Sequence, residues 1–451
     1  MNRRSFLTGV ATLALAAPAR AGEAKPLALL RSSIDASHLG ARPGAADDQS
    51  RTLQTAIEIA AERGRPLYIP PGRYVVSNLK LPDGARLVGV PGATELVYSG
   101  RGHLIFAENA ERISLKGLTI DGANRTLSEY APSIAHFKGI KHLVIDDCDV
   151  VGSAMHGVAL DRCGGRVERC RVSGAAEAGI RAIESSNLEI VRNTVKDCAN
   201  GGILVHRYTP GDDGTMVQGN RVSNIAARNG GTGQWGNGIN VFRTNNVMVS
   251  GNRVDGCAFS AIRSNAGSNV QIMGNTCTRS GETAIYSEFG FEGAMIANNV
   301  VDGAANGITV CNFLQGGRMA VVSGNIVRNL DAPAPYQAEG QTFGNGIWVE
   351  AETTVTGNVI ENAPRWGMVV GWGPYLRNVS ATGNIIRKTR VGIAVTVVEG
   401  AKSAVISDNV IREATDGAIL GYRWHKRATE DLAKSGAGRW PHLSLLRNVT
   451  S

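Results

Sequence analysis

Residues 379–395 read VSATGNIIRKTRVGIAV, and this phrase decides the fold. It contains an Asn between apolar residues (Asn384), then a turn, then a Gly that opens a G-I-x-V segment (Gly392). The phrase occurs eleven times from Cys148 onward. Its first landmark falls at Cys148, Cys170, Asn193, Asn220, Asn252, Asn275, Asn299, Asn325, Asn358, Asn384 and Asn409. Its second landmark falls at Gly157, Gly179, Gly202, Gly238, Ala261, Ala284, Gly307, Gly346, Gly367, Gly392 and Ala418.

The recurring phrase indicates a solenoid of short β-strands. Its repeats are 22 to 33 residues apart, and their apolar positions are rich in Val and Ile, which favour strands over helices. Each repeat would form one coil, with equivalent residues of successive coils about 4.8 Å apart. The apolar residues would then point inward, and the recurring Asn would form an internal stack. The sequence therefore predicts an all-β protein, a right-handed parallel β-helix.

A solenoid exposes sheet edges at both ends, and the sequence offers a cover for each of them. The first cover is a predicted N-terminal amphipathic helix that ends at Gly64, with Asp48 or Ser50 as its N-cap. Its apolar face holds Leu53, Ala56, Ile57, Ala60 and Ala61. We predict four parts: a signal peptide at 1–21, an N-terminal cap with the first coils at 22–100, β-helix repeats at 101–424, and a C-terminal cap at 425–451.

The N-terminus predicts export from the cytoplasm. Arg3 and Arg4 are followed by Phe6, Leu7, an apolar stretch and a small-x-small cleavage site that ends at Ala21. This segment resembles a twin-arginine signal, so we expect a periplasmic or secreted protein that is exported in the folded state. No later stretch of about 18 apolar residues occurs, and no membrane span is therefore expected.

Composition and motifs argue against several classes of function. The net charge is +8, but no run of five or more Lys or Arg occurs, so we expect a solvated basic surface and no nucleic-acid partner. The absence of a P-loop, a Rossmann fingerprint and a nucleophile elbow argues against nucleotide, redox and serine-hydrolase chemistry. The seven Cys lack metal spacing, and Asp212 and Asp213 lack evident partners for a Ca²⁺ site. We predict a monomer without a metal or other cofactor.

The segment before the repeats resembles a known family. Residues 40–76, GARPGAADDQSRTLQTAIEIAAERGRPLYIPPGRYVV, look like the opening of the pectate-lyase-like β-helix superfamily. The matching residues are Asp47, Asp48, Gln54, Ala56, Ile57, Pro70, Pro71, Gly72 and Tyr74. With the signal, the chain more narrowly resembles a bacterial family of twin-arginine-translocated β-helix repeat proteins. The resemblance implies the fold, and because the matching residues look structural it implies no particular chemistry.

Two coils carry long insertions just before the second landmark, at 222–237 and 327–345. Both would leave the helix at the same corner, four coils apart, and wall a cleft with longer turns at 206–214, 286–293 and 371–375. Outward positions of the G-I-x-V strands form two columns across this region. The first column is Leu204, Asn240, Arg263, Tyr286, Thr309 and Trp348, and the second is His206, Phe242, Asn265, Glu288, Cys311 and Glu350.

This face suits binding of a polysaccharide or envelope glycan. Rings that could contact sugars are Trp235, Tyr286 and Trp348, and groups that could bind hydroxyls or carboxylates are Asn240, Arg243 and Arg263. A lyase on an acidic glycan would need a base to remove the proton next to the carboxylate, and Tyr286 or His206 could serve. Arg263 and Asn240 would then neutralise the carboxylate.

A glycoside hydrolase would instead need two carboxyl groups. Glu288 and Glu350 share one column two coils apart, about 9.6 Å at the strand spacing, near the range of roughly 6.5 to 9.5 Å for inverting enzymes. Outward Arg and Glu residues also fit a solvated charge ladder. A noncatalytic glycan-binding or structural envelope protein is therefore the alternative to a lyase or a hydrolase.

Overall fold

The computed structural model describes residues 32–336 and 343–450. The predicted signal peptide at 1–21 lies outside the described residues. Within them, the chain winds repeatedly through two sheets whose strands pair in parallel, apart from one antiparallel strand near the C-terminus. The predicted all-β parallel β-helix with an N-terminal helix is therefore confirmed.

Sixteen strands of the described chain form the first sheet: Ile34–Asp35, Leu67–Tyr68, Arg86–Val88, Arg112–Lys116, His142–Asp146, Gly165–Glu168, Leu188–Val191, Met216–Gln218, Met248–Ser250, Val270–Met273, Glu292–Ala297, Arg318–Ser323, Thr353–Thr356, Val379–Thr382, Ala404–Ser407 and Leu443–Leu446. Twenty-five form the second: Gly72–Val76, Leu79–Lys80, Thr94–Tyr98, Ile105–Glu108, Thr119–Asp121, Ser133–Lys138, Asp149–Val151, His156–Asp161, Arg171–Ser173, Ala178–Ile183, Thr194–Cys198, Gly201–Asp212, Arg221–Ile225, Asn237–Asn245, Arg253–Cys257, Ile262–Asn265, Thr276–Glu288, Val300–Val310, Ile326–Arg328, Asn345–Val349, Val359–Val370, Ile385–Thr396, Val410–Arg423, Lys426–Asp431 and Val449–Thr450.

The core between the sheets consists of ladders of small and aliphatic side chains. One ladder, in register on successive coils and fully buried, is Val254, Cys277, Val301, Val327 and Ile360. All seven cysteines are buried and unpaired, and several of them occupy such apolar positions. They therefore pack as small hydrophobic residues.

The recurring Asn forms the predicted internal stack. The side-chain amide of Asn275 donates to the Oδ1 of Asn299 (3.0 Å) and to the carbonyl of Val249 (3.0 Å). The Oδ1 of Asn275 accepts from the backbone N–H and the amide of Asn252, at 2.9 and 3.0 Å. The same pattern joins Asn193, Asn220, Asn252, Asn275, Asn299, Asn325, Asn358, Asn384, Asn409 and Asn448. Each coil is thus linked to the next by buried hydrogen bonds.

The N-terminal end of the solenoid is covered by the α-helix Ser50–Glu62. Leu53, Ala56, Ile57 and Ala60 are its buried residues, as the amphipathic pattern predicts, whereas the fifth predicted residue, Ala61, is only half-buried. The N-cap position is Gln49, although the Asp48 carboxylate accepts from the Ser50 N–H at 2.8 Å. The side-chain amide of Gln54 donates to the Lys80 carbonyl (2.9 Å) and accepts from the Lys80 N–H (2.8 Å). These bonds satisfy backbone groups at the edge of the strand Leu79–Lys80.

Short 3₁₀ helices complete the described helical segments: Ala36–Leu39, Phe313–Gln315, Gly373–Tyr375 and Ala437–Arg439. None of the helices in the described ranges is both long and apolar enough to cross a bilayer.

The C-terminal segment after 424 combines a new strand with one more coil. Lys426–Asp431 pairs antiparallel with Val410–Arg423 and folds back against the last full coil. The chain then adds Leu443–Leu446 and Val449–Thr450 in parallel, and Asn448 extends the Asn stack. The repeat therefore resumes within 425–451, because the intervening hairpin interrupts its spacing without ending it. The boundaries at 100 and 424 stay predictions.

Candidate functional site

The first predicted column exists in the structure, residue by residue. Parallel pairing aligns Leu204 with Asn240, Asn240 with Arg263, and Arg263 with Tyr286. It also aligns Tyr286 with Thr309 and Thr309 with Trp348. In the second column, His206, Phe242, Asn265 and Glu288 are in register. The face therefore has the order that the spacing predicts.

A cleft of about 560 Å³ lies over the later part of this face. Tyr286, Thr309 and Trp348 belong to its floor, because they are outward neighbours on three successive coils. The second insertion contributes Tyr336 and Phe343 to the lining. The rings that line the cleft are Tyr286, Tyr336, Phe343, Trp348, Trp372 and Trp424. Aromatic rings therefore make up six of its fourteen described lining residues.

Glu350, like Glu282, is an acidic residue in the lining of this cleft. Its side chain is buried, and one carboxyl oxygen accepts from the Phe313 N–H at 2.8 Å. The donor belongs to a 3₁₀ turn that follows Asn312, whose backbone is left-handed (φ 72°). Burial raises the pKa of Glu350 from 4.5 to about 7, although backbone hydrogen bonds from Phe313 and Asn312 oppose the shift. A large fraction of Glu350 is thus protonated at neutral pH.

Arg263 and Glu288 face each other instead of facing the cleft. The Arg263 Nε donates to Glu288 at 2.6 Å, and one guanidinium nitrogen lies 3.3 Å from Glu282 and 2.9 Å from the Thr232 hydroxyl. Asn265 donates to the same Glu288 oxygen at 2.9 Å. The Arg263 and Glu288 side chains are only 6 and 3% exposed. The prediction that both side chains lie free on the surface is wrong, because they are buried and their opposite charges neutralise each other.

This buried network gives a prediction about stability. Arg263→Met should lower the free energy of unfolding by about 3 kcal/mol, because Glu282 and Glu288 would stay buried without their cation. Urea unfolding at pH 7 measures the change. Arg279→Met is the matched control, since Arg279 pairs with Asp255 on an exposed surface, and this variant should lose much less stability. Equal losses in the two variants would contradict the network's importance.

Tyr286 lines the cleft, but its environment does not suit a base. The Arg263 guanidinium lies 4.9 Å from the centre of its ring, and its hydroxyl is 3.9 Å from the Cys311 sulfur. Burial raises the pKa of Tyr286 well above its ordinary value, an effect that outweighs the attraction of Arg263. The phenol therefore holds its proton at neutral pH and can act as a donor.

The first insertion covers part of the face and does not form a cleft wall. Its Thr232 donates to Glu282 at 2.8 Å, and its Gly233 carbonyl accepts from Asn240 at 3.1 Å. Asn240 is consequently only 2% exposed. Trp235 is half-buried within the insertion and does not line the cleft. The predicted sugar-binding roles of Asn240 and Trp235 have no support from this geometry.

His206 and Arg243 also lie outside the cleft. His206 is three coils from Glu288 in the same column and packs edge-on against Phe242, with ring centres 5.6 Å apart. Burial lowers the pKa of His206 to about 4, so the ring is neutral but too distant to serve as base there. Arg243 is exposed, stacks on Phe242 at 4.9 Å and donates to the Tyr208 carbonyl at 2.9 Å.

Nine residues of the cleft lining were not named by the sequence analysis: Glu282, Thr283, Asn306, Asn312, Tyr336, Phe343, Trp372, Trp424 and His425. Glu282 joins the two insertions, since it accepts from Thr232 and also from the Tyr336 hydroxyl at 2.5 Å. The sequence analysis named the longer turn at 371–375 but did not single out Trp372 within it. An aromatic residue in a turn beside the cleft was the signal that could have identified it. Trp424 and His425 reach the cleft because the C-terminal hairpin folds back, which no repeat spacing predicts.

Metal ligands do not gather at this site. In residues 32–336 and 343–450, no three His, Cys, Asp or Glu side chains lie close enough to hold a metal ion. Asp213 is buried and accepts from the Thr215 N–H at 3.1 Å, and burial raises its pKa. The carboxylates near the cleft are engaged by protein donors.

Comparison with known proteins identifies related chains. The family model described as "Right handed beta helix region" matches residues 95–222, 157–313 and 209–397. The preneck appendage protein of Bacillus phage PZA is 27% identical over 172 residues, 30% of this chain and 20% of that protein. The pre-neck appendage protein of Bacillus phage phi29 is 26% identical over 188 residues, 34% of this chain and 21% of that protein. The matched region thus spans about a fifth of these relatives.

Solved structures share the fold at low sequence identity. The tailspike protein of E. coli bacteriophage HK620, solved with a pentasaccharide, superposes with a TM-score of 0.59 at 12% identity. The match covers 88% of this chain and 81% of the tailspike chain. The A-module of a mannuronan C-5 epimerase from Azotobacter vinelandii has a TM-score of 0.52 at 13% identity, and the match covers 93% of this chain and 99% of the module. Pre-mature gene product 12 of bacteriophage phi29 has a TM-score of 0.55 at 17% identity, and the match covers 86% of this chain and 55% of the phage protein.

Proposed function

The chain belongs to the right-handed β-helix family, and on that premise we propose that its aromatic cleft binds a saccharide chain and hydrolyses a glycosidic bond. Glu350 is the general acid in this proposal. The observation that carries it is a buried carboxyl group with a pKa of about 7 in the lining of a cleft that also holds six aromatic rings. We also propose that the protein acts outside the cytoplasm after export in the folded state.

The aromatic lining supports a saccharide as the ligand. Trp348 and Trp372 have ring centres 5.1 Å apart, and Trp372 and Trp424 have theirs 5.7 Å apart, so the rings form one contiguous cluster in which each ring is tilted against the next. Sugar rings carry C–H faces that pack on such surfaces, while their hydroxyls bond polar groups at the edge. Asn306, Thr309 and His425 supply those groups here. The HK620 tailspike shows that a protein of this fold can hold an oligosaccharide.

A hydrolase fits these groups better than a lyase does. A lyase needs a base and a free cation beside the substrate carboxylate. Tyr286 holds its proton, and the charge of Arg263 is taken by Glu288 and Glu282. A hydrolase needs a carboxylic acid that is still protonated near neutral pH, which is the state that burial gives Glu350.

Glu288 is the proposed partner of Glu350, although in this structure it is paired with Arg263 and does not line the cleft. It lies in the same outward column, two coils before Glu350, and the strand spacing puts the two positions about 9.6 Å apart. Inverting enzymes hold their two carboxyl groups roughly 6.5 to 9.5 Å apart, and this backbone spacing is near that range, so the proposal implies inversion at the anomeric carbon. NMR of the first product formed reports the configuration.

One observation favours a second candidate, a noncatalytic glycan-binding protein. Glu288 is held by Arg263 and Asn265, and Glu282 is held by Thr232, Tyr336 and Arg263. With both of these carboxylates engaged, Glu350 would have no free base opposite it. The cleft would then bind sugar without cleaving it.

The two candidates are separated by one assay on the purified protein. It is incubated with polygalacturonate, alginate, hyaluronate, dextran sulfate, dextran and laminarin. New reducing ends indicate hydrolysis, and ultraviolet absorbance of unsaturated products indicates a lyase. Binding in calorimetry without either product supports the noncatalytic candidate. Absence of binding to every polymer would contradict both candidates.

Trp372→Ala tests the cleft as the sugar site. We expect affinity for the best-bound polymer to fall about tenfold, because a stacking surface worth about 1 to 1.5 kcal/mol is removed. Isothermal calorimetry measures the change. Trp235→Ala is the matched control, since Trp235 lies in the first insertion outside the cleft lining, and should leave affinity unchanged. A loss in the control equal to that in Trp372→Ala would contradict this location.

A further inference from the structure

A second hollow adjoins the cleft at His425, which lines both of them. It measures about 550 Å³ and lies over the coils that follow the cleft along the helix axis. The side chains of Arg365, Arg390, Arg427 and Tyr422 line it, with Asp416 as its acidic member. A saccharide chain that leaves the aromatic cleft past His425 would enter this hollow.

Arg365 is the residue that gives the second hollow its excess positive charge. Its guanidinium carbon lies 4.3 Å from the centre of the Trp366 ring, and the side chain is half-buried. Within the described parts of the chain, its guanidinium has no hydrogen bond and no ion pair with an acidic residue. Its backbone N–H donates to the Gly344 carbonyl at 3.0 Å, directly after the cleft residue Phe343. The positive charge is therefore fixed at the edge of the cleft and is not neutralised by protein.

The other two arginines of this hollow already have partners. Arg390 makes two hydrogen bonds to one oxygen of Asp416, at 2.8 and 3.1 Å. Arg427 donates to Glu430 at 2.8 Å and to the Thr429 carbonyl at 2.9 Å. Their charges are balanced locally, so the excess positive charge of the hollow lies on Arg365.

The geometry points to an anionic sugar subsite, in which Arg365 binds a carboxylate or sulfate on the saccharide chain held by the cleft. This inference rests on the proposed function. A guanidinium stacked on an indole keeps its plane fixed and its donors free at the edge, which is the arrangement for two-point binding of a planar carboxylate. The hollow continues the aromatic cleft past His425, so a sugar chain held by the cleft is favoured over nucleic acid.

Arg365→Met tests the subsite, because methionine keeps an apolar stem over Trp366 and removes the charge. Calorimetry compares the wild type and the variant on polygalacturonate, alginate, hyaluronate, dextran sulfate, dextran, laminarin and duplex DNA. We expect wild type to prefer the carboxylated or sulfated polymers over the neutral ones. In Arg365→Met, affinity for the preferred anionic polymer should fall about tenfold or more, and affinity for neutral polymers should stay the same.

Arg412→Met is the matched control, since Arg412 is an exposed arginine in the same C-terminal coils and does not line the hollow. An equal loss of affinity for the anionic polymer in both variants would overturn the subsite, because the change in the protein's net charge would then explain the loss. No preference for anionic over neutral polymers, or tighter binding of DNA than of any saccharide, would also overturn it. Binding of neutral polymers that depends on Trp372 would then leave the cleft intact, whereas no saccharide binding at all would reject the proposed function itself.

If Arg365→Met unfolds, as its thermal midpoint would show, Arg365→Lys decides the question. Lysine keeps the charge and loses the planar fork, so the preference for carboxylated polymers should weaken while general attraction to anions remains. Unchanged selectivity in Arg365→Lys would overturn two-point binding. A carboxylated polymer preferred over dextran sulfate identifies the uronic acid as the ligand group, and the reverse order identifies the sulfate.

Discussion

Glu350→Gln is expected to lower the rate of glycosidic bond cleavage by about 10² to 10⁴-fold while binding of the polymer is kept. The amide has nearly the same shape but no proton to give to the leaving oxygen. Release of reducing ends measures turnover, and calorimetry measures binding. Glu352→Gln is the matched control, because Glu352 is two residues away and forms ion pairs with Arg318 and Arg377 outside the cleft. Activity that survives in Glu350→Gln would rule out Glu350 as the acid.

The same carboxyl group fixes the direction of the pH dependence. An acid with a pKa of about 7 loses its proton as pH rises, so turnover should fall above pH 7. Since the folded pKa is raised above the unfolded value of 4.5, folding favours the protonated form. Stability contributed by this group is present below about pH 4.5 and is lost as pH rises to about 7.

This linkage makes Glu350→Gln informative even without a substrate. Above pH 7 the wild type carries a buried charge that costs on the order of 3 kcal/mol, from a shift of 4.5 to about 7. The neutral amide avoids that cost, so Glu350→Gln should be more stable than wild type at pH 8 and similar to it at pH 4. Urea unfolding at the two pH values measures the difference. A variant that is less stable at both would contradict the raised pKa.

Asn275→Ala should lower the free energy of unfolding by about 4 kcal/mol, the largest loss expected from a single buried residue here. Asn275 accepts both the backbone N–H and one amide hydrogen of Asn252, and it donates to Val249 and Asn299. Alanine leaves the donors of Asn252 buried without acceptors, at about 1 to 3 kcal/mol each. Urea unfolding followed by circular dichroism measures the loss.

Asn448→Ala is the control for the position in the stack. Asn448 is the last member and is half-buried; it accepts from Asn409 and donates to the Ile406 carbonyl, but it has no further Asn to donate to. Water can replace it there, so the loss should be about 1 kcal/mol. Similar losses for Asn275→Ala and Asn448→Ala would mean that burial of the stack does not determine its strength.

The periodic part of this molecule could be predicted from its sequence, because a solenoid turns sequence spacing directly into spatial neighbours. Asn240, Arg263, Tyr286 and Trp348 lie in one column since each follows its landmark by two residues and the strands pair in register. The Asn stack follows from the same argument. The capping helix was predictable from its apolar periodicity.

The parts without a period could not be predicted in this way. The first insertion lies over Asn240 and Arg263 because Thr232 and Gly233 find partners there, and those contacts have no sequence spacing. Arg263 was expected on the surface, yet two carboxylates and the insertion bury it. Trp424 and His425 reach the cleft only through the antiparallel hairpin at Lys426–Asp431.

The proposal that this cleft cleaves a saccharide with Glu350 as its acid is tested most directly by one comparison. Wild type and Glu350→Gln are incubated with the same panel of polysaccharides at pH 6, and reducing ends and binding are measured on the same samples. The account predicts new reducing ends from wild type alone, with equal binding by both proteins. Binding without reducing ends from the wild type, or equal release by both, would contradict it.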